Sequence, residues 1–338
     1  MKALWNQQAK PVLRRIRSKL IGDAWREQIK PISWYNIGPW IGQTIAEDFQ
    51  FYRAKPRPLT RSRITGMFFP NLEDPIFIVG APRSGTTFLG DCLGVIPEIG
   101  YHFEPVLTKA ATRYVYLNLW DKQKSQWFYR TVYGWLMRLH FDADLIFSEK
   151  TPQISLIIPF LKETFPKARF IHIIRDGRDS AISLSKKPWY RNDMKGSGAK
   201  EPDGYPFGPK ARFWVEPDRV QEYEATNDLH RCVWLWRRYL ETIMAATPQL
   251  SAEQYHELRY EDLVTLPGLE ADRLLDFLGI DKADSREQFK DTVVTRANPT
   301  SVGRWQSELS SDQRTELWQE AGFCLTRLGY ATAEIASS

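Results

Sequence analysis

The segment over residues 75–93 constrains the fold of this chain most. It contains a short apolar run, then Gly-Ala-Pro-Arg-Ser-Gly-Thr-Thr at 80–87, then a segment with helical periodicity. Glycines at both ends of such a loop let backbone N–H groups converge on an anion, and the following helix N-terminus adds a partial positive charge. We therefore predict a strand, a phosphate-binding loop and a helix, with the loop holding a nucleotide through a terminal anionic group.

The loop departs from the one that binds nucleoside triphosphates. Gly80 and Gly85 have the Gly-x-x-x-x-Gly spacing, but Thr86 stands where a Walker A loop needs Lys to reach the β- and γ-phosphates. The basic side chain of the loop is Arg83, inside it. This disfavours a P-loop kinase or hydrolase and favours a nucleotide with fewer charges at the loop. A tight turn without a ligand is the plain alternative.

The rest of the chain alternates between predicted strands and helices. The pattern predicts an α/β fold, a P-loop-type, doubly wound parallel sheet flanked by helices. A long Trp-rich helix is predicted over 226–246. The predicted strands cover 76–79, 145–148, 169–174 and 255–260, and the helices that follow them cover 86–93, 153–165, 180–186 and 269–278.

We predict one catalytic domain over 71–332 and an N-terminal extension over 1–70 with one or two short helices. The stretch 187–225 is polar and rich in Gly and Pro, which is typical of a substrate loop or lid. Residues 1–20 are basic and partly apolar. They predict a surface amphipathic helix, with contact to a membrane as the less favoured alternative.

The composition limits the partners and the cellular compartment that we expect. The chain has 46 basic and 41 acidic residues, a net charge of +5, which is too weak and dispersed to indicate a nucleic-acid partner. Its three cysteines, Cys92, Cys232 and Cys324, are far apart and odd in number. They argue against a disulfide framework and a Cys-ligated zinc site, and indicate a reducing compartment. Without an apolar run at the N-terminus typical of a signal peptide, we expect a cytoplasmic protein.

A second anion site is predicted where the third strand ends. Arg175 follows that strand and Ser183 comes eight residues later. A guanidinium fork and a hydroxyl suit a compact dianion. Taken alone, this segment could also be a salt-bridged helix start capped by Asp176 or Asp179. Two phosphate sites together predict a nucleotide phosphorylated at both ends of its sugar.

These motifs resemble those of sulfotransferases that use 3′-phosphoadenosine 5′-phosphosulfate (PAPS), most closely the tyrosylprotein sulfotransferase branch, in pieces over 75–305. The resemblance implies that the loop at 82–87 holds the 5′-phosphosulfate. It implies that Arg175, with Ser183, holds the 3′-phosphate. The donor-binding residues it implies are Arg83, Ser84, Gly85, Thr86, Thr87, Arg175, Ser183, Tyr260 and Arg304.

The same resemblance implies the catalytic groups. The segment 97–105, Pro-Glu-Ile-Gly-Tyr-His-Phe-Glu-Pro, is similar to the loop that ends in the family's catalytic Glu, which makes Glu104 the expected general base. His102 competes for this role because other branches use His. Lys150 and Arg83 would stabilise the leaving group. Lys and Arg can replace Mg²⁺ in sulfuryl transfer, so no metal is predicted.

The acceptor is less constrained. In the tyrosylprotein branch an Arg after the catalytic Glu helps to bind acidic peptides, whereas Pro105 and Val106 follow Glu104 here. We therefore expect a small-molecule acceptor with a hydroxyl or an amine. A nucleotide-binding regulator that has lost the chemistry is the non-enzyme alternative.

Overall fold

The computed structural model describes residues 37–51, 58–196, 198, 201 and 204–330. Its centre is a parallel five-stranded sheet with the strand order β2-β3-β1-β4-β5. The strands are β1 Ile76–Val79, β2 Ile99–Phe103, β3 Ile146–Lys150, β4 Arg169–Ile174 and β5 Tyr255–Arg259.

Helices connect the strands and cover both faces of the sheet, which confirms the predicted fold class. The helices are α1 Ile37–Phe51, α2 Arg61–Gly66, α3 Thr86–Leu93, α4 Val106–Tyr116, α5 Lys122–Leu139, α6 Ile158–Thr164, α7 Gly177–Ser185, α8 Val220–Ala225, α9 Asp228–Ala246, α10 Tyr260–Thr265, α11 Pro267–Leu278, α12 Ala283–Arg296, α13 Trp305–Glu308 and α14 Ser311–Arg327. None of these described helices is both long and apolar enough to cross a bilayer.

The central strand β1 is buried on both faces. Phe77 and Val79 pack with the aromatic and aliphatic side chains of α4 and α5, whereas Ile76 and Ile78 pack with α3, α11 and α12. Side chains alternate between the faces of a strand, so a strand covered on both sides reads as an unbroken apolar run. That run is the reason why β1 and β4 begin and end at the predicted residues.

The prediction that a loop precedes Glu104 was wrong. The segment that leads to Glu104 forms strand β2, which pairs with β3 in the register Tyr101↔Ser148 and Phe103↔Lys150. Gly100 interrupts its apolar pattern, so the sequence alone does not signal a strand. The pairing places the ends of β2 and β3 side by side, and the Glu104 N–H donates to the Lys150 carbonyl oxygen over 3.0 Å.

Two regions pack more tightly than expected. In the predicted N-terminal extension, α1 buries Trp40 in the core beside β1. In the predicted loop at 187–225, α8 and three short 3₁₀ turns form, and Tyr190, Phe213 and Trp214 are buried. These aromatic side chains anchor a segment that its Gly and Pro content marks as loop. Its role as a lid stays a prediction, and the amphipathic stretch at 1–20 lies outside the described residues.

Candidate active site

The phosphate loop joins β1 to α3 in a shape that requires glycine. Gly80 and Gly85 have φ angles of 153° and 98°. A Cβ atom on Gly80 would lie 2.5 Å from the Ile173 carbonyl oxygen, and one on Gly85 would lie 2.5 Å from the ring of Tyr260. Both contacts are too short for a side chain. The two glycines therefore let the loop fold against the end of β4 and bring it to Tyr260, one of the predicted donor-binding residues.

Arg83 joins the two predicted anion sites. Its Nε donates to Ser183 Oγ over 3.1 Å, and its carbonyl oxygen accepts from Arg175 Nη1, also over 3.1 Å. Burial and the nearby positive charge of Arg175 lower the pKa of Arg83, whereas Glu104 opposes this shift. The loop after β1 and the helix after β4 therefore form one basic surface at the carboxyl ends of neighbouring strands.

The second anion site is closed by a late segment of the chain. The Arg175 guanidinium lies over the Tyr260 ring at 4.6 Å, and its Nη2 donates to the Ser301 carbonyl oxygen over 2.5 Å. Asp179 accepts from the backbone N–H groups of Gly303 and Trp305 at 2.7 and 2.9 Å. These bonds hold the segment around 301–305 across the start of α7.

Some polar atoms of this surface have no hydrogen-bond partner among the described residues. They are Ser84 Oγ in the loop, Arg175 Nε and Ser180 Oγ, and all three are buried. Buried polar atoms are normally paired, because leaving one unpaired costs about 1–3 kcal/mol. Phosphate oxygens would pair with donors of this kind, so the residues present fit an anionic ligand.

Glu104 lies beside this surface, where the chain leaves β2. Its Oε2 accepts from Lys109 Nζ over 2.8 Å, and its Oε1 pairs with Lys150 Nζ. Burial alone would raise the pKa of Glu104, but attraction to the two ammonium groups outweighs burial and lowers the pKa to about 2. The carboxylate is therefore ionised and held by two cations.

Lys150, the last residue of β3, is 1% exposed. Burial lowers its pKa, Glu104 opposes this shift, and the positive charges of Lys109 and Arg83 add to it. One carboxylate and three cations thus share a small volume where β2 and β3 end and the phosphate loop begins. Such a cluster can accept a proton and stabilise negative charge on a nearby phosphate oxygen.

Comparison with known proteins decides the family. The model of the sulfotransferase family matches residues 75–284, more than half of the chain. The chain belongs to the sulfotransferase family. This sulfotransferase is 24% identical to Protein-tyrosine sulfotransferase A of Caenorhabditis elegans over 287 residues, which cover 75% of this chain and 67% of the worm protein.

Solved sulfotransferase structures are also similar to the chain. The sulfotransferase domain from the curacin biosynthetic pathway has a TM-score of 0.48 at 17% identity, and the match covers 74% of this chain and 97% of the domain. A mouse sulfotransferase complexed with PAP has a TM-score of 0.42 at 13% identity, and the match covers 80% of this chain and 94% of the mouse chain.

In this sulfotransferase the predicted donor-binding residues surround the loop. Ser84 and Gly85 lie in the loop, and Thr86 and Thr87 open α3. Arg304 lies within the closing segment, between Gly303 and Trp305, but its guanidinium pairs with Glu308, and Nε donates to the carboxylate over 2.7 Å. The structure thus brings the backbone at Arg304 to the second anion site and leaves its side chain in a surface ion pair.

His102 belongs to a different cluster. It is fully buried, its ring stacks on Phe147 at 5.1 Å, and its Nδ1 lies 3.0 Å from Asp48 Oδ1. His140 Nε2 pairs with Asp48 Oδ2. The ligand atoms of Asp48, His102 and His140 lie within 4.8 Å of one another, a spacing that could hold a metal ion. Each histidine nitrogen faces a different carboxylate oxygen, so two hydrogen bonds account for the arrangement. The burial of His102 favours Glu104 as the base, and the choice between the two stays a prediction.

Sequence reasoning missed Lys109 and Asp48. Lys109 lies five residues after Glu104, outside the i, i+3 and i, i+4 spacings that predict a helical ion pair. Asp48 lies more than fifty residues before its partner His102. Both contacts arise from tertiary packing, and no local pattern signals them.

Proposed function

We propose that this sulfotransferase moves a sulfuryl group from PAPS to a hydroxyl or an amine of a small molecule. One observation carries the proposal: the Glu104 carboxylate is held by Lys150 next to Arg83 and the phosphate loop. A base, a buried cation and an anion-binding loop thus meet at the carboxyl edge of the sheet, where open α/β sheets bind their ligands.

The donor would be held at two points. The backbone N–H groups and hydroxyls at the start of α3, with Arg83, would bind the 5′-phosphosulfate, and Arg175 with Ser183 would bind the 3′-phosphate. When bound, PAPS supplies the sulfuryl group, and adenosine 3′,5′-bisphosphate is the product. The hydrogen bond between Arg83 and Ser183 supports a ligand that reaches from one site to the other.

Glu104 would accept the proton of the acceptor. A pKa of about 2 keeps the carboxylate ionised at neutral pH but makes it a weak base. Lys150 and Arg83 would turn toward the negative charge that grows on the leaving oxygen. As Lys150 gives up part of its contact with Glu104, the pKa of the carboxylate rises and proton transfer becomes more favourable.

The surroundings of Glu104 favour a small acceptor. Pro105 and Val106 follow it, both are buried, and Val106 packs in the core at the start of α4. Neither offers a positive charge to an acidic peptide, and Lys109 is engaged by Glu104. The worm relative is named for a protein-tyrosine acceptor, so peptides are the alternative acceptor class.

The donor is tested by binding. Titration calorimetry with adenosine 3′,5′-bisphosphate and with ATP, each with and without Mg²⁺, distinguishes a sulfotransferase from a P-loop kinase or a nucleotide-binding regulator. We expect tight, Mg²⁺-independent binding of the bisphosphate. Preference for ATP with Mg²⁺ would reject the donor assignment.

The acceptor is tested separately. Transfer from ³⁵S-labelled PAPS is compared between a panel of small phenols, alcohols and amines and a panel of acidic tyrosine peptides. We expect labelled small molecules. Efficient labelling of the peptides alone would retain the donor and reject the small-molecule acceptor.

A further inference from the structure

Helix α1 lies outside the part of the chain that matches the family model, yet it contacts β2, the strand that directly precedes Glu104. Asp48 on α1 is 2% exposed and faces His102 on β2 and His140 at the end of α5. Attraction to His102 and His140 outweighs the effect of burial and lowers the pKa of Asp48 to about 2, so the carboxylate is ionised and can only accept hydrogen bonds. Both imidazoles must therefore donate.

A second bond from the same helix lies on the other side of Glu104. Thr44, one turn before Asp48, is fully buried, and its Oγ1 accepts from the Leu107 N–H over 3.2 Å. His102 lies two residues before Glu104 and Leu107 three residues after it. Helix α1 thus holds both sides of the turn that carries the carboxylate.

That turn needs to be held. Glu104 has a φ angle of 41°, in the left-handed region that residues other than glycine seldom adopt. Such a conformation costs on the order of 1–3 kcal/mol and persists only where surrounding contacts fix it. The β2–β3 pairing fixes one part of the turn, through the bond from the Glu104 N–H to the Lys150 carbonyl oxygen. The bonds from Asp48 and Thr44 supply the rest.

We propose that Asp48 is a positioning residue for this sulfotransferase: by holding His102, and with the help of Thr44, it keeps Glu104 in the backbone conformation that aims its carboxylate at the acceptor. The inference rests on the proposed role of Glu104. It also gives His102 a function as a hydrogen-bond donor. The residues predicted to bind PAPS lie on or next to other elements, chiefly β1, β4 and α7, and do not depend on the contact between Asp48 and His102.

The first variants remove the contact from α1. In Asp48→Asn and in Thr44→Val, kcat is expected to fall roughly 10- to 100-fold, because small displacements of a catalytic group cost rates of this order. Affinity for adenosine 3′,5′-bisphosphate should stay within about twofold of wild type. Gly42→Ala on the same helix is the matched control, since its new Cβ meets nothing within 4 Å, and it should keep the wild-type kcat. Thr44→Val is nearly isosteric, so it serves if Asp48→Asn does not fold.

The second pair of variants tests His102. His102→Asn places an amide N–H near the position of Nδ1 and should retain most of the wild-type kcat. His102→Leu has no such N–H and should lose it. Equal, complete loss in both variants would indicate that His102 itself is the base and would overturn the proposal. Unchanged kcat in Asp48→Asn and Thr44→Val would overturn it as well, as would a parallel loss of bisphosphate affinity.

A measurement without substrate separates this inference from the proposed function. Amide hydrogen exchange over 99–107 should be faster in Asp48→Asn than in Gly42→Ala. If wild-type protein transfers no sulfuryl group, the proposed function fails, and this exchange result still decides whether α1 holds the turn. Equal exchange in the two variants would reject the positioning role.

Discussion

The Arg83 guanidinium donates to Ser183 Oγ over 3.1 Å, across a hundred residues of sequence. This bond joins the phosphate loop to α7, and Arg175 also contacts the loop, by donating to the Arg83 carbonyl oxygen. Two sites that the sequence presents as separate motifs are therefore one surface. A ligand at either site would therefore contact an Arg side chain, Arg83 or Arg175, whose orientation is fixed by a hydrogen bond to the other site.

Ser183→Ala should weaken binding of adenosine 3′,5′-bisphosphate by roughly 10- to 150-fold, because one hydrogen bond to a charged group contributes about 1.5–3 kcal/mol. Calorimetry with adenosine 5′-phosphate, which lacks the 3′-phosphate, is the matched control and should show little change. An equal loss for both nucleotides would mean that Ser183 acts only by orienting Arg83 and does not bind the 3′-phosphate.

Glu104→Gln should lower the single-turnover rate of sulfuryl transfer by roughly 10²- to 10⁴-fold, the range expected when a general base is removed. The amide has nearly the shape of the carboxylate but cannot take the acceptor proton. Bisphosphate affinity, measured on the same protein, should stay close to that of wild type, because the phosphate loop and Arg175 are untouched. Substantial residual transfer would move the role of base to another group.

Much of the fold could be predicted from the sequence, because it depends on local patterns. The apolar runs of β1 and β4 and the glycines at 80 and 85 define the strands and the loop between them. Strand β2 was not predicted, because Gly100 breaks its apolar pattern and its pairing with β3 is not local. Of the two cations that pair with Glu104, only Lys150 was predicted, because it belongs to a motif. The contact with Lys109 forms only when α4 folds back on β2.

The pH dependence of the reaction should report Lys109. Its ammonium lies 2.8 Å from Glu104 and favours the ionised carboxylate, so Lys109→Met should raise the pKa of Glu104. The acidic limb of kcat/KM against pH should then move to higher pH. Lys122→Met, which removes a surface lysine paired with Glu163, is the control and should leave the profile in place. An unshifted profile in Lys109→Met would argue that Glu104 does not set this limb.

The free energy of unfolding should depend on pH through Glu149, which directly precedes Lys150 on β3. Burial raises its pKa to about 7, although Tyr133, Thr151 and Thr108 donate to it and oppose the shift. The folded protein therefore binds this proton more tightly than the unfolded chain, where the pKa is about 4.5. The contribution to stability is complete below pH 4.5 and is lost as the pH rises through about 7.

Glu149→Gln, which mimics the protonated acid, should remove this dependence. The free energy of unfolding of wild type relative to the variant should fall by about 3 kcal/mol between pH 4.5 and pH 8, as measured by urea denaturation. Glu163→Gln, at a carboxylate whose side chain is 52% exposed, is the control and should parallel wild type. If the wild-type and Glu149→Gln curves run parallel over this range, Glu149 is ionised in the folded protein, and its charge must be balanced by the hydroxyl groups around it.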